Sequence, residues 1–494
     1  MIKDLEQYFL ENMPEKRAFI NGDYTEAANG AVMKKNNSYS GYDLSGIADC
    51  NEADIDRAVQ AAKKAFETGV WSRADVAEKK RIILRFADLM EEHREEIAAL
   101  DAIETCRSFQ NYYYDSIPKA IEAVRYFAEA IDKEYDRCIS GRTGMQGIVK
   151  RVPLGVVGII TPWNDPMVVT MWKTIPSLLI GNSVVIKPAE QSSLSIIRVA
   201  ALMKQAGIPD GVVNVVPGRG EVAGKALALH MDVRGIFFTG SSEVGKKLLV
   251  YAGQSNMKKV GLECGGKGPY IVSSKCKDIS LAAKTLADNM FYNQGQICSA
   301  PSRIILEKPV KDIFVEELKK WCDEYVPDNP YSLESRVGCV VSREQYEKIQ
   351  QYIEYAKSCR YTIYQPKMKC EMPESACAVL PTIISDLPLE DKLAKEEIFG
   401  PVVVVLEAKS MDEAVKIANA SDYGLAGAIW TDDLNEAYNV TERVEVGLMH
   451  INSYGEDDNA APFGGVKQSG LGKDKSSYAF DEYSDLKTIW MKFR

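Results

Sequence analysis

"VVGIITPWNDP", residues 156–166, decides the fold class. Five apolar residues run without polar alternation into a polar turn flanked by prolines. A strand without alternation is buried on both faces, as in a parallel sheet covered by helices. Three similar runs follow: SVVIK (183–187), VVNVV (212–216) and GIFFT (235–239). Helical segments such as SSLSIIRVAALMKQAG (192–207) lie between them. Strands alternating with helices predict an α/β fold. PYIVS (269–273) and VVVVLE (402–407) predict a second α/β unit.

The segment before the first strand reads as helical. In NEADIDRAVQAAKKAFETG (51–69), Asn51 is a candidate N-cap, with Asp54 three residues on and an apolar stripe of Ile55, Val59, Ala62 and Phe66. Residues 78–101 and 117–135 also carry a helical pattern. DRCISGRTGMQGIVKRVP (136–153) breaks helix and sheet, and fits an extended hairpin arm. The C-terminal SYAFDEYSDLKTIWMKFR is rich in aromatics and must pack on something. A subunit interface and a loop packed within one chain both fit these two segments.

The 494 residues are too many for one core, so two or three domains are expected. The net charge of −10 argues against a nucleic-acid partner. No apolar run reaches the length of a membrane span, and the N-terminal MIKDLEQYFLENMPEKR lacks a signal-peptide core, so the expected compartment is the cytoplasm. Eleven cysteines without CxxC pairs point to free thiols. The three histidines lie in no metal-binding motif, so no metal is expected.

No G-x-G-x-x-G follows the first strand. Instead, each of the four strands ends in ligand-compatible residues, and the carboxyl ends of parallel strands are where α/β proteins bind ligands. Lys187 and Glu190 in KPAE suit ribose hydroxyls, or form a solvated charge pair. PGRG (217–220) and TGSSEVGKK (239–247) suit a pyrophosphate, or are plain turn and cap chemistry. Asn164 can donate to an oxyanion, or only shape its turn. Glu263, in VGLECGGKGP, is either a water-shielded base or a charge on a turn. Cys298, in FYNQGQICSA, follows a polar, glycine-broken approach that suits a nucleophile better than a packed core thiol.

TPWN, GNSVVIKPAE, FFTGSSEVGK, LECGGKGP, FYNQGQIC, EEIFGPV and PFGGVKQSGLG occur in this order. Together they resemble the aldehyde dehydrogenase superfamily over nearly the whole chain. The resemblance implies a modified Rossmann cofactor domain (1–134 and 154–262), a second α/β catalytic domain (263–473) and a small β oligomerisation arm (135–153 and 474–494). It implies Cys298 as nucleophile, Glu263 as general base and Asn164 as oxyanion donor. Trp163, Lys187, Glu190, Gly220, Gly240, Ser241, Glu397 and Phe399 would hold NAD, with NADP possible. The product would be a carboxylic acid, and the assembly a homodimer or homotetramer. A CoA-acylating relative typically lacks the base glutamate, and a non-catalytic structural relative would lose the nucleophile. Glu263 and Cys298 argue against each in turn.

Some residues depart from the family pattern. Cys264 follows the base where leucine is common, and reads as a packing change. TCRS (105–108) replaces a TGKP-like turn, expected to lie away from the chemistry. Asp165 stands where the family has phenylalanine in its substrate tunnel, with Trp172 and Tyr292 as further expected lining residues. Glu456, Asp457 and Asp458 fall on the loop that closes the tunnel mouth in relatives. Four acids at one entrance suit a substrate with a positive group. IPKAIEAVRYFAEAIDK, SNMKKVGLECGGK and PFGGVKQSGLGKDKS also resemble the γ-glutamyl-γ-aminobutyraldehyde dehydrogenase subgroup. The expected substrate is an aminoaldehyde or γ-glutamyl-aminoaldehyde, with an uncharged aliphatic or aromatic aldehyde as the alternative.

Overall fold

The computed structural model describes residues 5–139, 141–456 and 458–493; Asp457 lies outside them. The four leading apolar runs form neighbouring strands of one sheet. Its parallel centre runs Val213–Val215, Ser183–Lys187, Val156–Ile160, Val233–Thr239, Lys259–Glu263. Strand order therefore reverses between Val156–Ile160 and Val233–Thr239. Ligand crevices in such sheets open at this switch point, outside the carboxyl ends. Those two ends carry Trp163 and Asn164 on one side and Gly240 and Ser241 on the other.

Antiparallel strands finish the sheet, with Ala18–Ile20 and Asp23–Thr25 at one edge. Gly470–Leu471 pairs with Leu262 and Glu263 at the other edge. This last strand was expected within 263–473, yet it returns the chain to the first sheet and places the 464–472 loop over Glu263. Likewise Ala479, Phe480 and Tyr483, expected in the arm, pack into the core of the first unit.

The second sheet has seven strands, with Val402–Ala408, Arg303–Glu307, Pro269–Val272 and Ala426–Trp430 at its parallel centre. Separate apolar clusters cover its two faces. The hairpin expected at 136–153 is present as Arg137–Ile139 and Met145–Pro153, and the C-terminal Ser484–Lys492 adds antiparallel to it. Among the described residues no helix is long and apolar enough to cross a membrane.

The helix read at 51–69 spans Glu52–Thr68, between an Asn51 capping box and a left-handed Gly69. The pattern at 78–101 is two helices, Val76–Glu92 and Arg94–Thr105, because Glu95 and Glu96 start a new first turn after His93. Asp54 is fully buried and does more than cap. Its carboxylate accepts from the Asn51 and Ala28 N–H groups, each at 2.9 Å, and pairs with Arg57. Asp54→Ala leaves these donors without a partner, which costs about 2 kcal/mol. Urea denaturation should show the loss as a lower midpoint with an unchanged slope.

Candidate active site

The switch-point crevice opens into a cavity of about 200 Å³ beside Cys298. Trp163, Asn164, Gly240, Ser241, Cys264, Glu397 and Phe399 line it. Residues from both α/β units thus converge on one thiol. Cys298 sits in a series of turns after Phe291, made possible by left-handed backbone at Gln294 and Gly295. The turns are tied to the first unit through Asn164. Its Nδ2 donates to the Gln296 carbonyl at 3.0 Å, and its own carbonyl accepts from Asn293 Nδ2 at 2.9 Å.

The Gly265–Gly266 pair allows the close approach. A Cβ on Gly266 would collide with the Cys298 carbonyl, and one on Gly265 with the Glu397 carboxylate. Glu397 Oε1 accepts from the Gly266 N–H at 2.8 Å. Burial raises its carboxyl pKa to about 7. Phe399 has left-handed backbone, its carbonyl accepts from Gln345 Nε2 at 2.8 Å, and its ring meets Trp163 edge-on at 5.3 Å. A non-glycine residue held this way is strained, and surrounding contacts must fix it.

Glu263 is buried under the 464–472 loop, against Gly464 and Gly470. Neither carboxylate oxygen has a hydrogen-bond partner among the described residues. Burial, then the charge of Asp474, pushes its pKa well above the usual carboxylate range. Asp474 is itself paired with Lys173 at 2.6 Å, with both side chains buried. Removing one partner of such a pair costs about 3–5 kcal/mol. Sequence reading missed Lys173 and Asp474. The signal was a single lysine in the otherwise uncharged Pro166–Ile180 helix.

Lys187 and Glu190 lie apart from this cavity's lining. Lys187 Nζ is buried, donates to the Pro188 carbonyl at 2.7 Å and stands 3.8 Å from Glu190. Glu190 Oε1 accepts from the Gly220 N–H at 2.5 Å, so these three expected residues do come together. Ser241 caps the Ser242–Gln254 helix, whose N-terminus opens at the cavity. Cys264 is a lining residue of the cavity, more than the packing change expected.

The expected substrate residues differ more. Trp172 is half-buried, with Phe463 at 5.2 Å and Lys475 over its ring. Asp165 was expected in the substrate tunnel, as one of four acids at its entrance. Instead it accepts from the Ser116 hydroxyl and stands 3.5 Å from the Arg107 guanidinium. Arg107 belongs to TCRS, so that turn is not remote as expected. Tyr292 takes a hydrogen bond from Arg107 at 2.7 Å and donates to Asp115 at 2.6 Å. Glu456 and Asp458 are exposed, and Asp458 accepts from the Ala460 N–H at 2.7 Å.

Burial, then the carboxylates of Glu263 and Glu397, pushes the Cys298 thiol up to about 12. Only the thiolate attacks an electrophile. Alkylation of the free protein by iodoacetamide at Cys298 should therefore quicken by about tenfold per pH unit from 7 to 9. Peptide mass spectrometry reads the site, and a rate levelling off below pH 8 would contradict it.

A family model described as aldehyde dehydrogenase matches residues 24–489. The NADP/NAD-dependent aldehyde dehydrogenase PuuC of Escherichia coli is 42% identical over 477 residues, covering 97% of this chain and 96% of that protein. The solved structure of the aldehyde dehydrogenase KauB from Pseudomonas aeruginosa superposes with a TM-score of 0.97 at 42% identity, covering 99% of each chain. That of a γ-glutamyl-γ-aminobutyraldehyde dehydrogenase from Burkholderia cenocepacia gives 0.96 at 41%, also over 99% of each chain. With a crevice at the strand reversal, a thiol in it and this likeness over almost every residue, the chain belongs to the aldehyde dehydrogenase family.

Proposed function

We propose that the chain oxidises an aldehyde to a carboxylic acid with NAD, using Cys298, Asn164 and Glu263. The aldehyde carries an amino or γ-glutamyl-amino group. One observation carries the reading: a cavity lined by the Cys298 thiol and the Asn164 amide, with the buried Glu263 carboxylate, free of hydrogen-bond partners among the described residues, in the electrostatic reach of that thiol.

The cavity's residues fit a nicotinamide dinucleotide. Trp163 and Phe399 supply aromatic walls, Glu397 an acceptor for ribose hydroxyls, and Gly240 with Ser241 a helix N-terminus for the pyrophosphate. Lys187, Glu190 and Gly220 would hold the adenosine ribose. An acid there accepts from a 2′-hydroxyl and repels a 2′-phosphate, which favours NAD over NADP. When bound, NAD supplies the acceptor for the aldehyde hydride.

The chain's own groups do the rest. Cys298 gives its thiol proton to solvent, and the thiolate Sγ adds to the aldehyde carbon. Asn164 Nδ2 and the Cys298 N–H hold the oxyanion. Hydride loss leaves a thioester on Cys298. Glu263 then takes a proton from water, which adds to the thioester carbon. The C–S bond breaks, the acid leaves, and the thiol is restored. The raised pKa of Glu263 makes it a stronger acceptor than an exposed carboxylate.

The subgroup resemblance and the name of the Burkholderia relative support the amine-bearing substrate. Uncharged aldehydes remain the second reading, favoured by Trp172 and Phe463. The exposed Leu486, Ile489, Trp490 and Phe493 on the arm support a homodimer or homotetramer, and we place the enzyme in the cytoplasm.

Two variants test the chemistry. Cys298→Ala should abolish aldehyde oxidation. Glu263→Gln should release one equivalent of NADH per site in a stopped-flow trace and then stall. Steady turnover by Cys298→Ala would overturn the mechanism.

A further inference from the structure

Beyond the Leu448–Ile451 strand of the second sheet, the chain runs across the surface. Among the described residues of 451–462, only Tyr454 is buried. Its hydroxyl donates to the Ser299 carbonyl at 2.5 Å, one residue beyond Cys298. Its own carbonyl accepts from Asn289 Nδ2 at 3.1 Å. Asn289 lies on the Ile279–Met290 helix, which leads into the Cys298 turns. One residue of an exposed loop thus grips the nucleophile's segment at both ends.

The backbone is bent to deliver that side chain. Asn452 and Gly455, on either side of it, both have left-handed backbone. Asparagine tolerates this region better than most residues. Here its amide is locked to Thr431, accepting from the N–H and donating to the carbonyl, each at 2.9 Å. A Cβ on Gly455 would collide with Asn289, and one on Gly268 would crowd the Tyr454 hydroxyl at 3.2 Å. The Tyr454 ring packs against His450 at 4.9 Å and Tyr270 at 5.8 Å.

Three contacts therefore pin the nucleophile's backbone. Asn164 holds the Gln296 carbonyl, Gly266 rests against the Cys298 carbonyl, and Tyr454 holds the Ser299 carbonyl. The Cys298 N–H, which must face the oxyanion, lies between the first pin and the last. Burial, then the charge of Cys298, raises the proton affinity of the phenol, so it stays a donor while the thiol titrates. Tyr454 is outside the lining of the cavity, so it reaches the chemistry only through the Cys298 segment.

We propose that Tyr454 is a positioning residue: its hydroxyl, through the Ser299 carbonyl, fixes the Cys298 backbone so that thiol and N–H face one carbonyl group. This rests on Cys298 as the nucleophile proposed above.

The test separates the hydroxyl from the ring. Tyr454→Phe removes only the hydroxyl, and Tyr454→Leu removes both; circular dichroism checks that each folds. Tyr454→Phe should slow the stopped-flow NADH burst by about tenfold or more, as a misplaced reacting group does, and leave KM for NAD within about twofold. Tyr454→Leu should slow the burst at least as much. If packing of the ring were the whole role, Tyr454→Phe would match wild type and Tyr454→Leu alone would fall, and the assignment fails. It fails equally if Tyr454→Phe raises KM for NAD as much as it lowers the burst rate, which reports a general loosening of the site. Cys298→Ala tells the two readings apart. If that variant turns over, the nucleophile reading fails and takes Tyr454 with it. If it is inert while Tyr454→Phe behaves as wild type, only the Tyr454 assignment fails.

Discussion

The backbone of Gly266 rests against the carbonyl of Cys298, and the site depends on that contact. Gly265 and Gly266 lie between the first sheet's last parallel strand, Lys259–Glu263, and Pro269–Val272 of the second sheet. Cys298 and Glu397 both arrive from the second unit. Only a chain without side chains at these two positions lets both reach the crevice at the strand reversal. The fold supplies the crevice, and the glycine pair admits the chemistry to it.

Close approach excludes water, and exclusion of water sets the proton affinities. Burial raises Glu263, Glu397 and Cys298 alike, and lowers buried Lys267 to about 7. The site therefore favours neutral groups while at rest. A thiol held neutral is protected from adventitious electrophiles, and Glu263, once ionised, binds a proton more tightly than an exposed carboxylate does. Asp474 adds to the pressure on Glu263 while Lys173 pairs with it in a buried contact.

The strands were largely legible in the sequence because each is a short, fully apolar run. Val156–Ile160 and Ser183–Lys187 match their expected spans residue for residue. Gly155 directly precedes the first and Gly181 lies two residues before the second, and Pro162 and Pro188 follow soon after, so local chemistry marks both ends. The gathering of Cys298, Asn164 and Glu397 was legible only through the family's motif order, since their segments are far apart in the chain. Pairings between distant residues left no local signal. Lys173 meets Asp474 across 301 residues, and Arg107 joins Asp165 from a turn with no recognisable motif. Asp165 read alone is an unpaired charge, and its meaning changes once the guanidinium beside it is known. The return of Gly470–Leu471 to the first sheet was hidden because two residues carry no periodicity.

The two glycines separate the central claim into measurable parts. A Cβ at 265 meets the far end of a flexible side chain, Glu397, whereas one at 266 meets fixed backbone at Cys298. Steady-state kinetics of Gly265→Ala and Gly266→Ala, each checked for folding by circular dichroism, tests it most directly. The account predicts that Gly265→Ala chiefly raises KM for NAD, while Gly266→Ala collapses kcat by displacing the nucleophile. Wild-type kcat in a folded Gly266→Ala protein would contradict it.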